Sequence, residues 1–127
     1  MSEDLELQQR RLRLKKSLKE LSEMKGMGTD LVTVVIPPEK MISDVRHQLG
    51  NEMGQADNIK SKSTKKHVTD ALESAISSLN RYKTPGEGGI AIFVGHVIVG
   101  NNKTKLTSTV IDNPPEPFSS FRYRCDS

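Results

Sequence analysis

The sequence predicts an α+β domain: a small, largely antiparallel four-stranded sheet packed with helices, from which a helical hairpin protrudes. Three observations predict it. Apolar residues recur at helical spacing in three separate stretches, and three β-branched apolar runs are bounded by glycine, proline or asparagine. Near the C-terminus, apolar residues alternate with arginines. In chain order these give helix, strand, helix, helix, strand, strand, strand.

Leu7, Leu14, Leu18 and Leu21 share one side of a helix expected from about Leu5 to Met24, with charged residues between them. Gly26-Met27-Gly28 ends it, because glycine suits the turn just past a helix. Leu31 to Ile36, between Asp30 and Pro37, reads as a buried strand. Pro37-Pro38 imposes extended backbone and then allows a helix start, since a first turn does not use the missing N–H. Glu39 in that turn complements the helix dipole. Met41, Ile42, Val45, Leu49 and Met53 follow at helical spacing, and Gly54 ends the run.

Past a short polar loop, Val68, Leu72, Ile76 and Leu79 share a face of a third helix, with Ser63 as its N-cap. Pro85-Gly86-Glu87-Gly88-Gly89 is a turn. Ile90 to Val99 is a strand, Gly100-Asn101-Asn102 a turn, and Leu106 to Ile111 the return strand. Pro114-Pro115-Glu116-Pro117 breaks the sheet, because proline has no N–H to give a ladder. Phe121, Tyr123 and Cys125 alternate with Arg122 and Arg124, which makes a last strand with two distinct faces.

A chain of 127 residues fits one domain with one core, and 34% apolar but only 4% aromatic residues make that core aliphatic. The net charge of +3 favours an acidic partner. One cysteine excludes an internal disulfide and fits a reducing cytoplasm. No apolar run approaches the roughly 18 residues that cross a bilayer, so no membrane contact is expected. His47, His67 and His96 fall on different elements without metal-ligand spacing. Neither a Gly-rich phosphate loop nor a Gly-x-Ser-x-Gly turn is present, so no catalytic centre, metal or cofactor is expected.

The polar loop carries more information. From Lys60 to Lys83 there are six basic residues against two acids, and four of the six (Lys60, Lys62, Lys65 and Lys66) lie within seven residues. They sit at the N-terminus of the third helix, where cations oppose the dipole, and phosphate attraction is a use that explains the cost; a solvated basic face is the alternative on the lysine run alone. Arg10, Arg11, Arg13, Lys15, Lys16 and Lys19 lie on the first helix, where acids are interspersed, and read as surface charge. Asn58 offers donors and an acceptor to the edge of an unstacked base, and Lys60 offers donors to carbonyl oxygens such as those of uracil. Ile59 anchors the loop. An ordinary turn or cap role for Asn58 is the alternative on these residues alone.

Asn58-Ile59-Lys60-Ser61, Tyr123-Arg124-Cys125 and Gly28-Thr29 occur together in one chain. They resemble the Asn-Ile-Lys-Ser, Tyr-x-Cys and Gly-Thr-Ser signatures of archaeal and eukaryotic class-1 peptide-chain release factors, in the domain that reads stop codons. The resemblance implies that Asn58, Ile59, Lys60 and Ser61 read the first uridine. It implies that Glu52, six residues before Asn58, helps read the purines, with Tyr123 and Cys125 at the second and third bases and Thr29 at the third. Lys62, Lys65 and Lys66 would then meet RNA phosphates. The implied partners are an mRNA stop codon, small-subunit ribosomal RNA and, through other domains, a translational GTPase.

Asp30 replaces the eukaryotic serine and Gln55-Ala56-Asp57 replaces Thr-Ala-Ser, which points to an archaeal member. The phenylalanine that follows the Tyr-x-Cys cysteine by four residues has no counterpart before Ser127. Gly88-Gly89 is followed by Ile90, so it is not the Gly-Gly-Gln motif of peptide release. The expectation is a non-catalytic recognition domain excised from a longer factor. The rival is a basic RNA-binding or ribosome-docking module without codon specificity.

Overall fold

The computed structural model describes residues 2–101 and 103–126, the side chains of residues 2 and 25–30 excepted. The elements are α1 (Ser2–Met27), β1 (Gly28–Ile36), α2 (Ile42–Ala56), α3 (Lys62–Leu79), β2 (Ile90–Ile98), β3 (Thr104–Asp112) and β4 (Arg122–Asp126). The β-branched runs become strands because branched side chains pack well on a pleated surface. They form one sheet in the order β3-β2-β1-β4, with every neighbouring pair antiparallel.

Register fixes the faces. Val34 stands opposite Ile92 and Tyr123, and Val32 opposite Val94 and Cys125. Opposed residues point the same way, so Val32, Val34, Ile36, Ile90, Ile92 and Val94 make one apolar surface, with Tyr123 and Cys125 along its β4 edge. The α2–α3 hairpin covers that surface with Ile42, Val45, Leu49, Leu72, Ala75 and Leu79. Each fully buried leucine or isoleucine here contributes about 2–3 kcal/mol. The other face receives α1, where Thr109 donates to the Met24 sulfur at 3.3 Å and Ser17 to the Val110 carbonyl at 3.5 Å. Helices therefore lie on both sides of the sheet.

Three local expectations are corrected. Pro37, Pro38 and Glu39 lie in a turn closed by the Lys40 N–H donating to the Pro37 carbonyl at 3.1 Å, and α2 begins only at Ile42. Gly54 does not stop α2, which runs on to Ala56. Glycine weakens a helix interior by only about 1 kcal/mol relative to alanine, too little to end a helix already packed on a sheet. The N-cap of α3 is Ser61, with extended φ −73° and ψ 120° and an oxygen accepting from the Thr64 N–H at 3.3 Å. Ser63 is already helical.

The 85–89 turn forms as expected. Gly89 there has φ +84°, and a β-carbon on it would meet the Ile36 carbonyl oxygen at 2.3 Å. In the β2–β3 turn, Asn102 lies outside the described residues. No helix of the described residues is long and apolar enough to cross a membrane.

Candidate nucleic-acid interface

The tip of the hairpin is built by winding α2 tighter as it ends. The N–H groups of Asp57, Asn58 and Ile59 donate to the carbonyls of Gly54, Gln55 and Ala56 at 3.3, 3.0 and 3.0 Å. These i→i+3 bonds turn the chain while satisfying backbone that the helix end would otherwise leave open. Ile59 is half-buried and packs on the core, whereas Asn58 and Lys60 on either side of it are exposed. The anchoring expected of Ile59 is thus what presents its two neighbours to solvent. Ser61 is exposed too, but its hydroxyl caps α3.

Positive charge gathers behind the tip. No acid occupies the first turn of α3, so Lys62, Lys65 and Lys66 add to the partial positive charge of the helix N-terminus. Lys65 reaches Asp57 at 3.4 Å, which ties loop to helix, and Lys66 reaches Asp70 at 3.3 Å. Both pairs are exposed enough for a phosphate to compete with them.

Glu52, Tyr123 and Cys125 come together although 71 residues separate Glu52 from Tyr123 in sequence. Glu52 stands near the end of α2, and Tyr123 and Cys125 lie on the hairpin side of edge strand β4. Burial first, then the neighbouring Cys125 and Glu52, push the Tyr123 hydroxyl well above the ordinary phenol range. Tyr123 therefore keeps its proton and donates toward the Cys125 sulfur. A neutral donor beside a carboxylate acceptor can meet both kinds of polar group on a base edge.

Gly28 opens β1 opposite Val97, and the register slips between Gly28 and Asp30. Thr29 lies within that irregularity, and its side chain is outside the described ones. His67 on α3 stacks on His96 of β2, ring centroids 4.1 Å apart and planes 21° from parallel. This stack sets the start of α3 over the end of β2, the same end of the sheet where β1 begins and β4 finishes. The loop and Gly28 thus lie toward one end of the domain, whereas Tyr123 stands opposite Val34, near the end of β1, and Cys125 opposite Val32, in mid-strand. Two clefts of about 580 Å³ lie at the other end, around Tyr82 and Pro85.

The His67–His96 stack and the Asp57–Lys65 pair went unread in the sequence. The first needs strand pairing to be known. The second had one usable signal, an acid just before a lysine-rich helix start.

The model of the family described as eRF1 domain 1 matches residues 9–127. A peptide chain release factor subunit 1 from Picrophilus torridus is 46% identical over 118 residues, which cover 93% of this chain and 28% of the relative. One from Methanococcoides burtonii is 51% identical over 113 residues, covering 89% and 27%. The chain therefore spans a little over a quarter of these relatives' length. Among solved structures, the crystal structure of an archaeal translation termination factor, aRF1, matches with a TM-score of 0.71 at 31% identity, covering 88% of this chain and 31% of that one. A second, described as an archaeal protein, gives 0.74 at 30% identity over 88% of this chain and 32% of that one.

Proposed function

The chain belongs to the eRF1 domain 1 family, and from that premise we propose that it is the stop-codon-reading domain of a longer archaeal peptide-chain release factor. The observation that carries this reading is the approach of Glu52 on α2 to Tyr123 and Cys125 on β4, on the sheet face covered by the hairpin whose tip exposes Asn58 and Lys60. The domain's part in termination is recognition; cleavage of the nascent chain belongs elsewhere in the factor. It acts in the cytoplasm, on the ribosome.

Lys60 and Asn58 select the first uridine. The ammonium donates to a base carbonyl, and the amide matches donor and acceptor positions on the base edge. Glu52 accepts from exocyclic amino groups, which adenine and guanine both carry and uracil lacks. Tyr123, held neutral, contributes its hydroxyl and an aromatic face to a splayed purine. Cys125 and Thr29 flank the third position. Lys62, Lys65 and Lys66 supply sequence-independent attraction to phosphates. Small-subunit RNA and a translational GTPase are the remaining partners, the latter through other domains.

Glu52→Gln tests the purine assignment. An amide in place of the carboxylate keeps the volume but adds donors, so sense codons should trigger release more readily while overall ribosome binding changes little. Equal loss on stop and sense codons in a peptide-release assay would remove Glu52 from the reading site.

A further inference from the structure

We propose that α1 is a second RNA-docking surface, one that grips the phosphate backbone of small-subunit ribosomal RNA on the face of the sheet opposite the codon-reading one. The inference rests on the reading of this domain as a ribosome-bound recognition module, and adds to it a surface the codon does not touch.

Leu7 to Lys19 contains six basic residues and no acid. Arg10 is partly buried and already engaged, reaching Glu6 at 2.9 Å and Glu87 at 4.0 Å. Arg11, Arg13, Lys15, Lys16 and Lys19 are all exposed. Among the described residues, the ion pairs of α1 run through Arg10, and these five make none. Leu7, Leu14, Leu21 and Met24 turn toward the sheet, so the five cations fan over the outer side of the helix.

A solvated helix face usually interleaves opposite charges at i,i+4, where each pair gains a few tenths of a kcal/mol. Here Arg11, Lys15 and Lys19 repeat like charge at that spacing, and Arg13, Lys16 and Lys19 do so at i,i+3. Glu20 and Glu23 stand four residues after Lys16 and Lys19, but Arg11, Arg13 and Lys15 have no acid three or four residues away, which points to an external counter-charge. The stretch 11–19 is about 12 Å long. A nucleic-acid duplex presents on the order of seven phosphates over that length, a fair match to five cations. Arg13 and Arg11 at its flanks line open clefts, beside Tyr82 and Asp112 and beside Pro114 and Phe118, and cations fanned over a convex helix face fit backbone rather than base edges.

The codon-reading face cannot supply these phosphates. Glu52, Tyr123 and the loop belong to the hairpin face, whereas Met24 and Ser17 fix α1 to the other face. An RNA on α1 is therefore separated from the codon by the thickness of the sheet, and the RNA that surrounds a decoding site is ribosomal.

The test uses the full factor and purified archaeal small subunits carrying a stop codon, a sense codon or no message. The variant is Arg11→Gln, Lys15→Gln, Lys19→Gln combined. Glutamine keeps helix propensity, and loss of like charge leaves the thermal midpoint at or above that of the parent. Affinity should fall about tenfold or more at low salt, alike on all three kinds of subunit, and the slope of log K against log salt should flatten by about 2–3. The ratio of stop to sense binding should not change. Parental affinity and slope would overturn the proposal. So would a loss confined to message-bearing subunits, which assigns the phosphates to mRNA, or a loss with an unchanged slope, which assigns the face to a ribosomal protein. If the parent factor itself shows no stop-codon preference, the codon reading falls, and α1 is judged on the message-free subunits alone.

Discussion

At Ser61 the hydroxyl accepts from the Thr64 N–H, so Ser61→Ala should lower stability by about 1 kcal/mol, while Ser61→Asn, another good cap, restores most of it. Chemical denaturation of the three proteins checks this; an alanine variant as stable as the parent would mean that the cap contributes nothing. The sequence pointed to Ser63 as the cap, and the extended backbone at Ser61 corrects it. Tyr123 and Tyr82 are both shifted upward, Tyr82 by burial and then by Asp112, to which its hydroxyl donates at 3.1 Å. A folded-state value above the unfolded one, near 10, means that the proton is held more tightly by the native state. The associated stability is complete below about pH 10 and is lost as pH rises beyond it. Tyrosinate absorbance should therefore appear only above that range in the folded domain, and Tyr123→Phe should reduce the alkaline loss of stability. Tyrosinate formed at ordinary phenol pH would show that Tyr123 is open to solvent. Nothing in the sequence reveals these shifts, because both arise first from burial, which only the fold determines.

The elements themselves were largely legible, and the exceptions have physical causes. Leu31–Ile36 and Ile90–Val99 read as strands because β-branched residues restrict the backbone locally, whatever the tertiary contacts. Glycine is ambiguous, and Gly54 was expected to end α2 yet sits inside it with nothing within 4 Å of where a β-carbon would stand. Gly54→Ala should therefore stabilise the domain by about 0.5–1 kcal/mol, read as a higher midpoint in thermal unfolding. A drop would mean that the turn after α2 needs the glycine. The hairpin was legible as two amphipathic helices around a polar loop. Its docking was not, because the His67–His96 stack and the approach of Glu52 to Tyr123 depend on which strand pairs with which. The motif residues around 58–61 and 123–125 were found from their resemblance to a family; that Tyr123 and Cys125 face the hairpin came only with the register.

Across the whole molecule, the four-stranded sheet separates two basic surfaces with different work. On one side the hairpin brings a loop, a carboxylate and a neutral phenol to a single face, and on the other α1 spreads cations over a long helix. Codon reading belongs to the first alone. The measurement that tests this most directly is peptide release by the full factor from ribosomes programmed with a stop or a sense codon, comparing the parent with Lys60→Ala and Lys65→Ala. Lys60 is exposed beside the anchored Ile59, whereas Lys65 sits behind the tip against Asp57. Lys60→Ala should abolish most stop-dependent release, while Lys65→Ala should weaken it modestly and mainly through salt-sensitive binding. Equal effects of the two substitutions, or release indifferent to the codon, would contradict codon reading by the loop and leave a domain that only docks on the ribosome.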